Sequence, residues 1–310
     1  MEGTDMKYTL QRDGHYFKGN LHTHSTVSDG EATPEQLKAL YKSHGYDFLA
    51  ITDHNTYGIY TEMNDPDFLL IPGVEVDCWF GPDRPVDHVV GIGHPERTKL
   101  THGQKITGLK STSAQQLVDF LIENGNEAIY AHPFWSYTPL DLLLNLKGIL
   151  GMEIFNYSCE QTWKSGVSEY YYEHLWHTNH NAWCFAHDDA HGHSPDYCGG
   201  YLSVKCKELT YDALFDALKN GSFTSSFASP GKTAPEIIDF YVEDHVAKLW
   251  CSPCAHVCLN VDRSHYKPRF AQNNEPVTYA EYPLPADAVS VRAICMDEYR
   301  NVTWSQPILL

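Results

Sequence analysis

Residues 20–30 read Asn-Leu-His-Thr-His-Ser-Thr-Val-Ser-Asp-Gly, and the rest of the chain can be interpreted as supplying partners for this stretch. The preceding segment 16–21 has the pattern of a short strand, in which residues two apart share one face. His22 and His24 would then point the same way, with their Cα atoms about 6–7 Å apart. Two imidazoles at this separation can bind one cation, and Asp29 can reach it or a neighbouring cation. Because an isolated His-x-His is more often a surface pair beside a turn, a metal site requires partners elsewhere in the chain.

The composition is that of a folded protein with one large domain, with or without a small appendage. The chain has 310 residues, 42% of them hydrophobic. Its formal charge of −18 at pH 7 would repel a long phosphate backbone. We therefore expect no long nucleic acid as a partner, whereas a metal-dependent site for a small phosphorylated molecule agrees with this charge.

Signals for export and membrane insertion are not found in the sequence. Residues 1–8 lack the apolar core of a signal peptide, and no stretch approaches the roughly 18 consecutive apolar residues of a membrane span. The nine cysteines, an odd number spread over a long chain, fit reduced thiols better than a disulfide framework. We expect a cytoplasmic protein that does not bind a membrane, and its oligomeric state stays open.

Apolar runs that end in polar residues alternate with helical patterns over most of the chain. Thr33 to Gln36 and Ser113 to Gln116 predict two helix starts, each with a capping box. Six or seven strands of this kind over roughly 215 residues predict a (β/α) barrel, because the loops after parallel strands converge on one face. The polar residues that end these runs are Asp53, His54, Glu75, Asp77, His94, His132, Asn156, His187, Asp189 and His191.

The pattern changes near residue 235. The runs 237–242, 255–261 and 288–293 are short and alternate apolar with polar residues, which is typical of antiparallel strands. We therefore divide the chain into a barrel domain over residues 1–234 and a small antiparallel β unit over residues 235–310. This unit would cover one side of the barrel, shape the pocket edge or form an oligomer contact, and the sequence leaves these alternatives open.

Six motifs, in this order, resemble the signature of the PHP (polymerase and histidinol phosphatase) superfamily, and the resemblance covers about residues 15–230. Two further segments, 45–54 and 297–308, resemble the branch of PHP metallohydrolases that is grouped with a carbaryl hydrolase. The six motifs are His22-x-His24, Asp29, Thr52-Asp53-His54, Gly73-Val74-Glu75, Ala131-His132-Pro133 and Asp189-Ala190-His191.

The resemblance implies an α/β fold, a distorted seven-stranded (β/α) barrel, that holds two or three divalent metal ions. Mn, Fe and Zn all accept mixed shells of imidazole and carboxylate ligands. A bridging carboxylate, here Glu75, suits two cations about 3.5–4 Å apart. The implied ligands are His22, His24, Glu75 and Asp189 for one metal, Glu75, His88 and His132 for the second, and Asp29, His54 and His191 for the third.

One of these positions has two candidates, His88 and His94. We prefer His88 because related sequences place a histidine just before a Val-Val-Gly-Leu-like run, as His88 is placed here. Some relatives use a histidine at the end of this strand instead, which would select His94.

The function that the resemblance implies is a metal-dependent hydrolase, most often a phosphoesterase that cleaves small phosphate esters with a metal-bridging hydroxide. The alternatives are a carbamate or carboxyl-ester hydrolase on the same metals and a non-catalytic, metal-stabilised module. His187 and Asn156 are the candidates for substrate contact or leaving-group protonation, and hydrogen-bonded support of the ligands is the competing interpretation. Substrate identity would depend on the loops 79–85, 134–144 and 193–199.

Two other groups of potential ligands are weaker candidates. His174, His177 and His180 recur every three residues without a carboxylate at matching spacing, which is more typical of a polar helix face than of a site. Cys251-x-x-Cys254 with Cys258 could indicate zinc or redox chemistry, but it is a single pair in a strand-like region, so we do not assign it such a role.

Overall fold

The two capping boxes that the sequence predicts begin the first two helices. This computed structural model describes residues 6–79, 86–110, 112–178, 182–262, 265–273 and 275–310. In both helices the capping side chain, Thr33 or Ser113, accepts a hydrogen bond from the third helical residue, and the glutamine there bonds back. The helices are α1 (Pro34–Ser43), α2 (Ala114–Glu123), α3 (Leu140–Asn145), α4 (Tyr157–Trp163), α5 (Glu169–Thr178) and α6 (Tyr211–Lys219), with a short 3₁₀ turn at Thr61–Met63.

Of the described residues, 39% lie in strands or isolated bridges and 19% in helices. The first eleven strands are β1 (Met6–Lys7), β2 (His15–Asn20), β3 (Phe48–Ala50), β4 (Leu69–Ile71), β5 (Gly73–Cys78), β6 (Asp87–Gly93), β7 (Asn126–Tyr130), β8 (Gly151–Asn156), β9 (Trp183–His187), β10 (Gly200–Cys206) and β11 (Phe223–Phe227). The remaining strands are β12 (Ile237–Glu243), β13 (Val246–Cys254), β14 (His256–Val261), β15 (His265–Phe270), β16 (Val277–Pro283), β17 (Ser290–Met296), β18 (Val302–Ser305) and β19 (Ile308–Leu309).

These strands form three sheets. A ten-stranded sheet has the order β15-β14-β17-β18-β11-β10-β2-β3-β4, and β19 pairs with β17 beside it. A five-stranded sheet has the order β5-β6-β7-β8-β9, and a four-stranded sheet has the order β1-β12-β13-β16. Among the named strands of the described ranges, parallel pairing is confined to β2-β3-β4 and β7-β8-β9, and two isolated parallel bridges join Thr23 to Ala190 and His54 to Glu75. The fold is therefore a mixed and mainly antiparallel one.

The predicted seven-stranded (β/α) barrel is wrong, since the strands in the described ranges do not close into a barrel. Only Pro72 separates β4 from β5, and β6 pairs antiparallel with both β5 and β7. Antiparallel neighbours can be joined by a short turn, whereas parallel neighbours need a crossover of about a dozen residues or more. The apolar runs therefore located buried strands but did not reveal the direction in which each strand runs.

The strands after residue 235 pair antiparallel. They are not isolated from the rest of the fold, because β18 pairs with β11 and so continues the ten-stranded sheet across the predicted boundary. The division into residues 1–234 and 235–310 stays a prediction. Side chains of β12, β13 and β16 pack against side chains of β14 and β17, and this second core resembles that of a β-sandwich.

The main core lies under the candidate site. Helices α2 and α5 pack their apolar faces on the five-stranded sheet, where Leu117, Leu121, Leu175 and Met152 are fully buried. No helix in the described part of the chain combines the length and the apolar character needed to cross a membrane. The core thus holds the strand ends from which the candidate ligands project.

Candidate metal centre

His22 and His24 point in the same direction, as the strand pattern predicts. They follow β2, both side chains are fully buried, and their Nε2 atoms lie 3.2 Å apart. The backbone between them pairs with the segment around Ala190, since the His24 N–H donates to the Ala190 carbonyl and the Asp189 N–H donates to the His22 carbonyl. This pairing brings Asp189 Oδ1 to 3.1 Å from the Nε2 atoms of both histidines.

Glu75 lies at the centre of the site. It projects from β5, its side chain is fully buried, and neither carboxylate oxygen has a hydrogen-bond partner among the described residues. Burial raises the pKa of this carboxyl, but the charges of His88, His22 and His54 outweigh burial and hold the pKa well below its usual range. The ring nitrogens within 3.4 Å of its two oxygens belong to His22, His24, His54, His88 and His132.

Asp29 lies at the solvent side of the cluster, with about half of its side chain exposed. Its oxygens are 3.6 Å from His54 Nε2 and 3.6 Å from His191 Nε2. Burial lowers the pKa of His54, but Glu75 and Asp29 outweigh it and raise the pKa to about 9. Burial, with the charges of His54 and His191, lowers the pKa of His24 to about 4. In the absence of a bound cation, the neighbouring imidazoles of His24 and His54 therefore have widely different pKa values.

The structure places His88 in the cluster and His94 elsewhere. His88 Nδ1 is 3.0 Å from Glu75 Oε1 and 3.2 Å from His132 Nε2. His94 packs its ring against Phe215 of α6, and its Nε2 is 3.4 Å from Asp212 Oδ1. The geometry thus favours the preferred candidate, although its assignment as a ligand stays a prediction.

Two of the predicted ligands adopt left-handed backbone conformations. The φ angle is 27° at His132 and 54° at Asp189, in a region that costs residues other than glycine about 1–3 kcal/mol. His132 immediately precedes Pro133, a position that disfavours helical backbone. Such conformations cluster at functional sites, so these two residues are further indications that the cluster has a role beyond packing.

Glu153 is a site residue that sequence reasoning missed. Its fully buried carboxylate accepts hydrogen bonds from His22 Nδ1 at 2.7 Å, His187 Nδ1 at 2.9 Å and the His132 backbone N–H at 2.8 Å. Burial raises the pKa of Glu153, but the charges of His22 and His187 hold the pKa far below its usual range. The available signal was an acidic residue inside the apolar run of β8. The sequence pattern pointed only to polar residues at the ends of strands.

The two candidate catalytic residues lie beneath the ligands. Asn156 is buried, and its Nδ2 donates to Glu153 at 2.8 Å and to Asp189 at 3.1 Å, while its Oδ1 caps α4. His187 is buried and contacts Glu153, and its Nε2 has no hydrogen-bond partner in the described part of the chain. Neither residue lines the cavity above the cluster. Their roles towards a substrate stay predictions.

A cavity of about 420 Å³ opens over the cluster. Glu75 and His132 line its inner end, and Trp135 and Trp163 form an aromatic wall with ring centroids 5.7 Å apart. Trp135 also contacts His132 edge to face, at 5.0 Å between centroids. Of the predicted substrate loops, 134–144 and 193–199 contribute to this cavity, and residues 80–85 lie outside the described residues.

The two weaker groups of potential ligands, the histidines of α5 and the cysteines near residue 254, do not come together as the sequence spacing suggested. His174 of α5 contacts Tyr170 edge to face, His177 lies 3.8 Å from Glu173, and His180 lies outside the described residues. The cysteine group that does come together consists of Cys251, Cys254 and Cys295. Cys258, which the sequence had suggested as the third member, points to the opposite face of its sheet.

The residues of the site fit divalent metal ions. A buried carboxylate without hydrogen bonds is costly unless a cation compensates it, and the imidazole nitrogens and carboxylate oxygens present are ligands that Mn, Fe and Zn accept. The donor atoms lie within 4.8 Å of one another in four overlapping groups: His22, His24, Glu75 and Asp189; His24, Asp29, His54 and His191; His54, Glu75 and His88; and His22, Glu153 and His187.

Comparison with curated proteins gives one partial match, and no family model matches the chain. A protein described as a 5′-3′ exoribonuclease from Haemophilus influenzae is 34% identical over 117 residues. The match covers 35% of this chain and 41% of that protein, so it spans less than half the length of the relative.

Comparison with solved structures finds PHP-like proteins. A two-domain protein from Bacteroides vulgatus, described as containing a predicted PHP-like metal-dependent phosphoesterase, is 14% identical, with 92% of this chain and 94% of that chain covered and a TM-score of 0.47. At this identity and TM-score the likeness carries no assignment by itself, and membership of the PHP superfamily stays what the sequence motifs imply. The likeness to the carbaryl-hydrolase branch stays a prediction.

Two further solved structures are similar over a smaller part of the chain. A protein from Bifidobacterium adolescentis, proposed to be a metal-dependent phosphoesterase, is 14% identical, with coverage of 66% and 96% and a TM-score of 0.43. An amidohydrolase from Chromobacterium violaceum, solved with sulfate and no metal, is 18% identical, with coverage of 57% and 89% and a TM-score of 0.41.

Proposed function

We propose that this chain is a metal-dependent hydrolase and that its substrates are small phosphate esters. The observation that carries the proposal is Glu75, a fully buried carboxylate that lacks hydrogen bonds and is surrounded by imidazole nitrogens at the end of a cavity. A packing role does not account for a buried carboxylate whose oxygens accept no hydrogen bond from a described residue. A site that binds cations explains the buried carboxylate, and the cavity gives a small molecule access to those cations.

Two or three divalent ions, of manganese, iron or zinc, would be held by the predicted ligands. Glu75 would be shared by two of them, because imidazoles approach both of its oxygens. When bound, such ions supply positive charge to a phosphoryl oxygen and lower the pKa of water towards neutrality. The ligand groups are His22, His24, Glu75 and Asp189; Glu75, His88 and His132; and Asp29, His54 and His191.

Glu153 and Asn156 would orient the ligands. An ionised carboxylate can only accept, so His22 donates its Nδ1–H to Glu153 and keeps the Nε2 lone pair for a cation. Asn156 holds Glu153 with one N–H and Asp189 with the other. We therefore assign Asn156 and His187 as positioning residues, which act through Glu153 and Asp189 and not by direct contact with the substrate.

Several properties support a phosphate ester of limited size. A cavity of about 420 Å³ matches a small molecule, and the charge of −18 disfavours long nucleic acids. The name of the matched relative, an exoribonuclease, denotes an enzyme that cleaves phosphate esters in RNA. Because that name refers to a nucleic acid, a short RNA belongs among the substrates to be tested.

The aromatic wall favours one alternative, a carbamate or carboxyl-ester hydrolase on the same metals. Trp135 and Trp163 line the cavity beside the cluster, and indole rings can stack on a flat aromatic leaving group. An aryl carbamate would match this wall as well as an aryl phosphate does.

A substrate panel distinguishes these functions. Metal-free protein is reconstituted with Mn²⁺, Fe²⁺ or Zn²⁺ and assayed with phosphomonoesters, phosphodiesters, a short RNA oligonucleotide and aryl carbamates. We expect turnover of at least one phosphate ester, and we expect that Glu75→Gln abolishes it while His174→Ala does not. Cleavage of carbamates alone would replace the phosphoesterase assignment, and full metal occupancy without any turnover would leave a metal-stabilised module.

A further inference from the structure

The CxxC segment lies in a strand whose regular alternation is interrupted. Ala247, Leu249 and Cys251 of β13 are buried at every second position, as expected for one face of a strand. Continued alternation would bury Pro253 and expose Cys254, but Pro253 is exposed and Cys254 is only 1% exposed. Something in the local backbone therefore turns Cys254 back towards the interior.

The cause is an irregularity in the pairing between β13 and β16. Trp250 pairs with Tyr279, and Cys254 pairs with Val277, so four steps along β13 match two steps along β16. Bulges of this kind redirect side chains, and proline is tolerated in them because it has no N–H to donate. The bulge brings two thiols three residues apart to the same side, with their Sγ atoms 3.7 Å apart.

A third thiol arrives from the facing sheet. In β17, Val291, Ala293 and Cys295 alternate into the second core, and Cys295 is fully buried there. The sulfur atoms of Cys251, Cys254 and Cys295 all lie within 4.8 Å of one another. The group is thus built by a strand irregularity and a side chain from another sheet, which spacing along the sequence cannot reveal.

We propose that Cys251, Cys254 and Cys295 bind one divalent, thiolate-preferring metal ion of the zinc class. Zinc–sulfur bonds are about 2.3 Å long, so two thiolates on one tetrahedral zinc lie about 3.8 Å apart, close to the 3.7 Å between Cys251 and Cys254. Binding forms three metal–sulfur bonds and releases three protons to solvent, and the product carries one net negative charge. A monovalent soft ion would leave two such charges in an apolar core, at a higher desolvation cost.

A surface cleft borders one of the three thiols, that of Cys254, and is the side from which an ion and a fourth ligand would reach the group. The cleft has a volume of about 600 Å³, and its lining includes Pro253, Cys254, Pro276, Asp297 and Glu298. Asp297 and Glu298 place carboxylates along the route by which a cation would enter. Water from this cleft would complete the four ligands that zinc prefers.

Cadmium titration tests the proposal with a signal that the imidazole centre does not produce. Metal-free, reduced full-length protein is titrated with Cd²⁺, and the ultraviolet thiolate-to-metal charge-transfer absorption is recorded. We expect a band that saturates at about one Cd²⁺ per chain and is displaced by Zn²⁺. The imidazole and carboxylate centre would also bind Cd²⁺, but none of its proposed ligands is a thiolate. Cys159 lines the cavity over that centre, and an unchanged band in Cys159→Ser would exclude a contribution from its thiol.

Cys295→Ser is the decisive variant, and Cys258→Ser is its matched control. Cys258 is also a buried strand cysteine, but it lies outside the group, so its variant should keep the full band while Cys295→Ser loses most of it. If Cys295→Ser does not fold, a second experiment replaces it. The wild-type thiols are alkylated with and without zinc, and the modified cysteines are identified by mass spectrometry. We expect zinc to protect Cys251, Cys254 and Cys295 together. The absence of a band, equal bands in both variants, or a Cys251–Cys254 disulfide that excludes the metal would overturn the proposal.

Discussion

The two groups of potential metal ligands in this chain differ in the charge that they bury. At the imidazole–carboxylate centre, Glu75 is ionised and fully buried, and neither of its oxygens accepts a hydrogen bond from a described residue. At the cysteine group, neutral thiols can donate to backbone carbonyls, as Cys251 does to Val277 and Cys254 does to Ser252. A buried charge requires compensation, whereas a buried thiol behaves as a small hydrophobe. The first centre is therefore supported by energetics as well as geometry, and the second by geometry alone.

The two groups also differ in how many elements build them. The imidazole centre collects residues that lie in, or directly after, β2, β3, β5, β6, β7 and β9. The cysteine group depends on one bulged strand, β13, and on one side chain from β17 of the facing sheet. Changes at the first group should therefore affect activity and metal content strongly, and changes at the second should remain local.

The largest effect is expected for Glu75→Gln. The substitution keeps the size of the side chain but removes the charge that two cations would share. Loss of a partner to a ligand already costs about 10–100-fold, so we expect the loss of this ligand to lower kcat/KM by more than about 100-fold. Elemental analysis should show at least one fewer metal per chain than in the wild type.

His174→Ala is the matched control for this change, because His174 lies on α5 and contacts Tyr170 edge to face, away from the centre. It should retain both the metals and the activity. If His174→Ala proved more damaging than Glu75→Gln, the site would have been assigned to the wrong part of the molecule.

A smaller loss is expected for Glu153→Gln. The amide retains an oxygen that accepts from His22 Nδ1 but no longer carries the charge that strengthens this bond. We expect metal affinity to fall by about 10–100-fold and to be recovered in part at high metal concentration. Activity that stayed low at saturating metal would show that Glu153 contributes more than orientation.

The motifs named side chains that the structure brings together because each motif is local, and their assignment as ligands stays a prediction. His22, His24 and Asp29 belong to one short stretch, and Asp189 and His191 belong to another, so their proximity needs only that the two stretches meet. Glu153 was missed because it lies inside an apolar run. Its role depends on which face of β8 is turned towards His22, and this is a property of the whole sheet.

The barrel and the cysteine group show what local patterns cannot provide. The apolar run of β6 does not reveal that both of its neighbours are antiparallel, because direction depends on pairing between distant segments. Cys258 is close to Cys254 in sequence, yet strand alternation points it away, while Cys295 reaches the group from the facing sheet. In both cases the missing information is long-range.

Removal of the divalent ions should have an intermediate effect that is seen in stability. A ligand present at 100 times its Kd stabilises the folded state by about 2.7 kcal/mol, and for a chain of this size such a change shifts Tm by about 5 °C. We expect a chelator to lower Tm in calorimetry by this order and added metal to restore it. In Glu75→Gln the chelator should have little further effect, and an undiminished shift there would mean that the stabilising ion binds elsewhere.

The smallest effect is expected for Cys295→Ala in the metal-free, reduced protein. The substitution removes one sulfur atom from a well-packed core, which typically costs about 1 kcal/mol of unfolding free energy, measurable by denaturant unfolding. Because no charge loses its partner, the variant should regain normal hydrolytic activity and normal metal content at the imidazole centre after reconstitution. In the metal-free protein, the cost should add to that of Glu75→Gln in the double variant, as it does for independent sites. Added zinc should stabilise the wild type and Cys258→Ala more than it stabilises Cys295→Ala. Equal stabilisation of all three would show that the thiols pack without binding metal, and a non-additive double variant would show that the two groups are coupled through the sheet that joins them at β11 and β18.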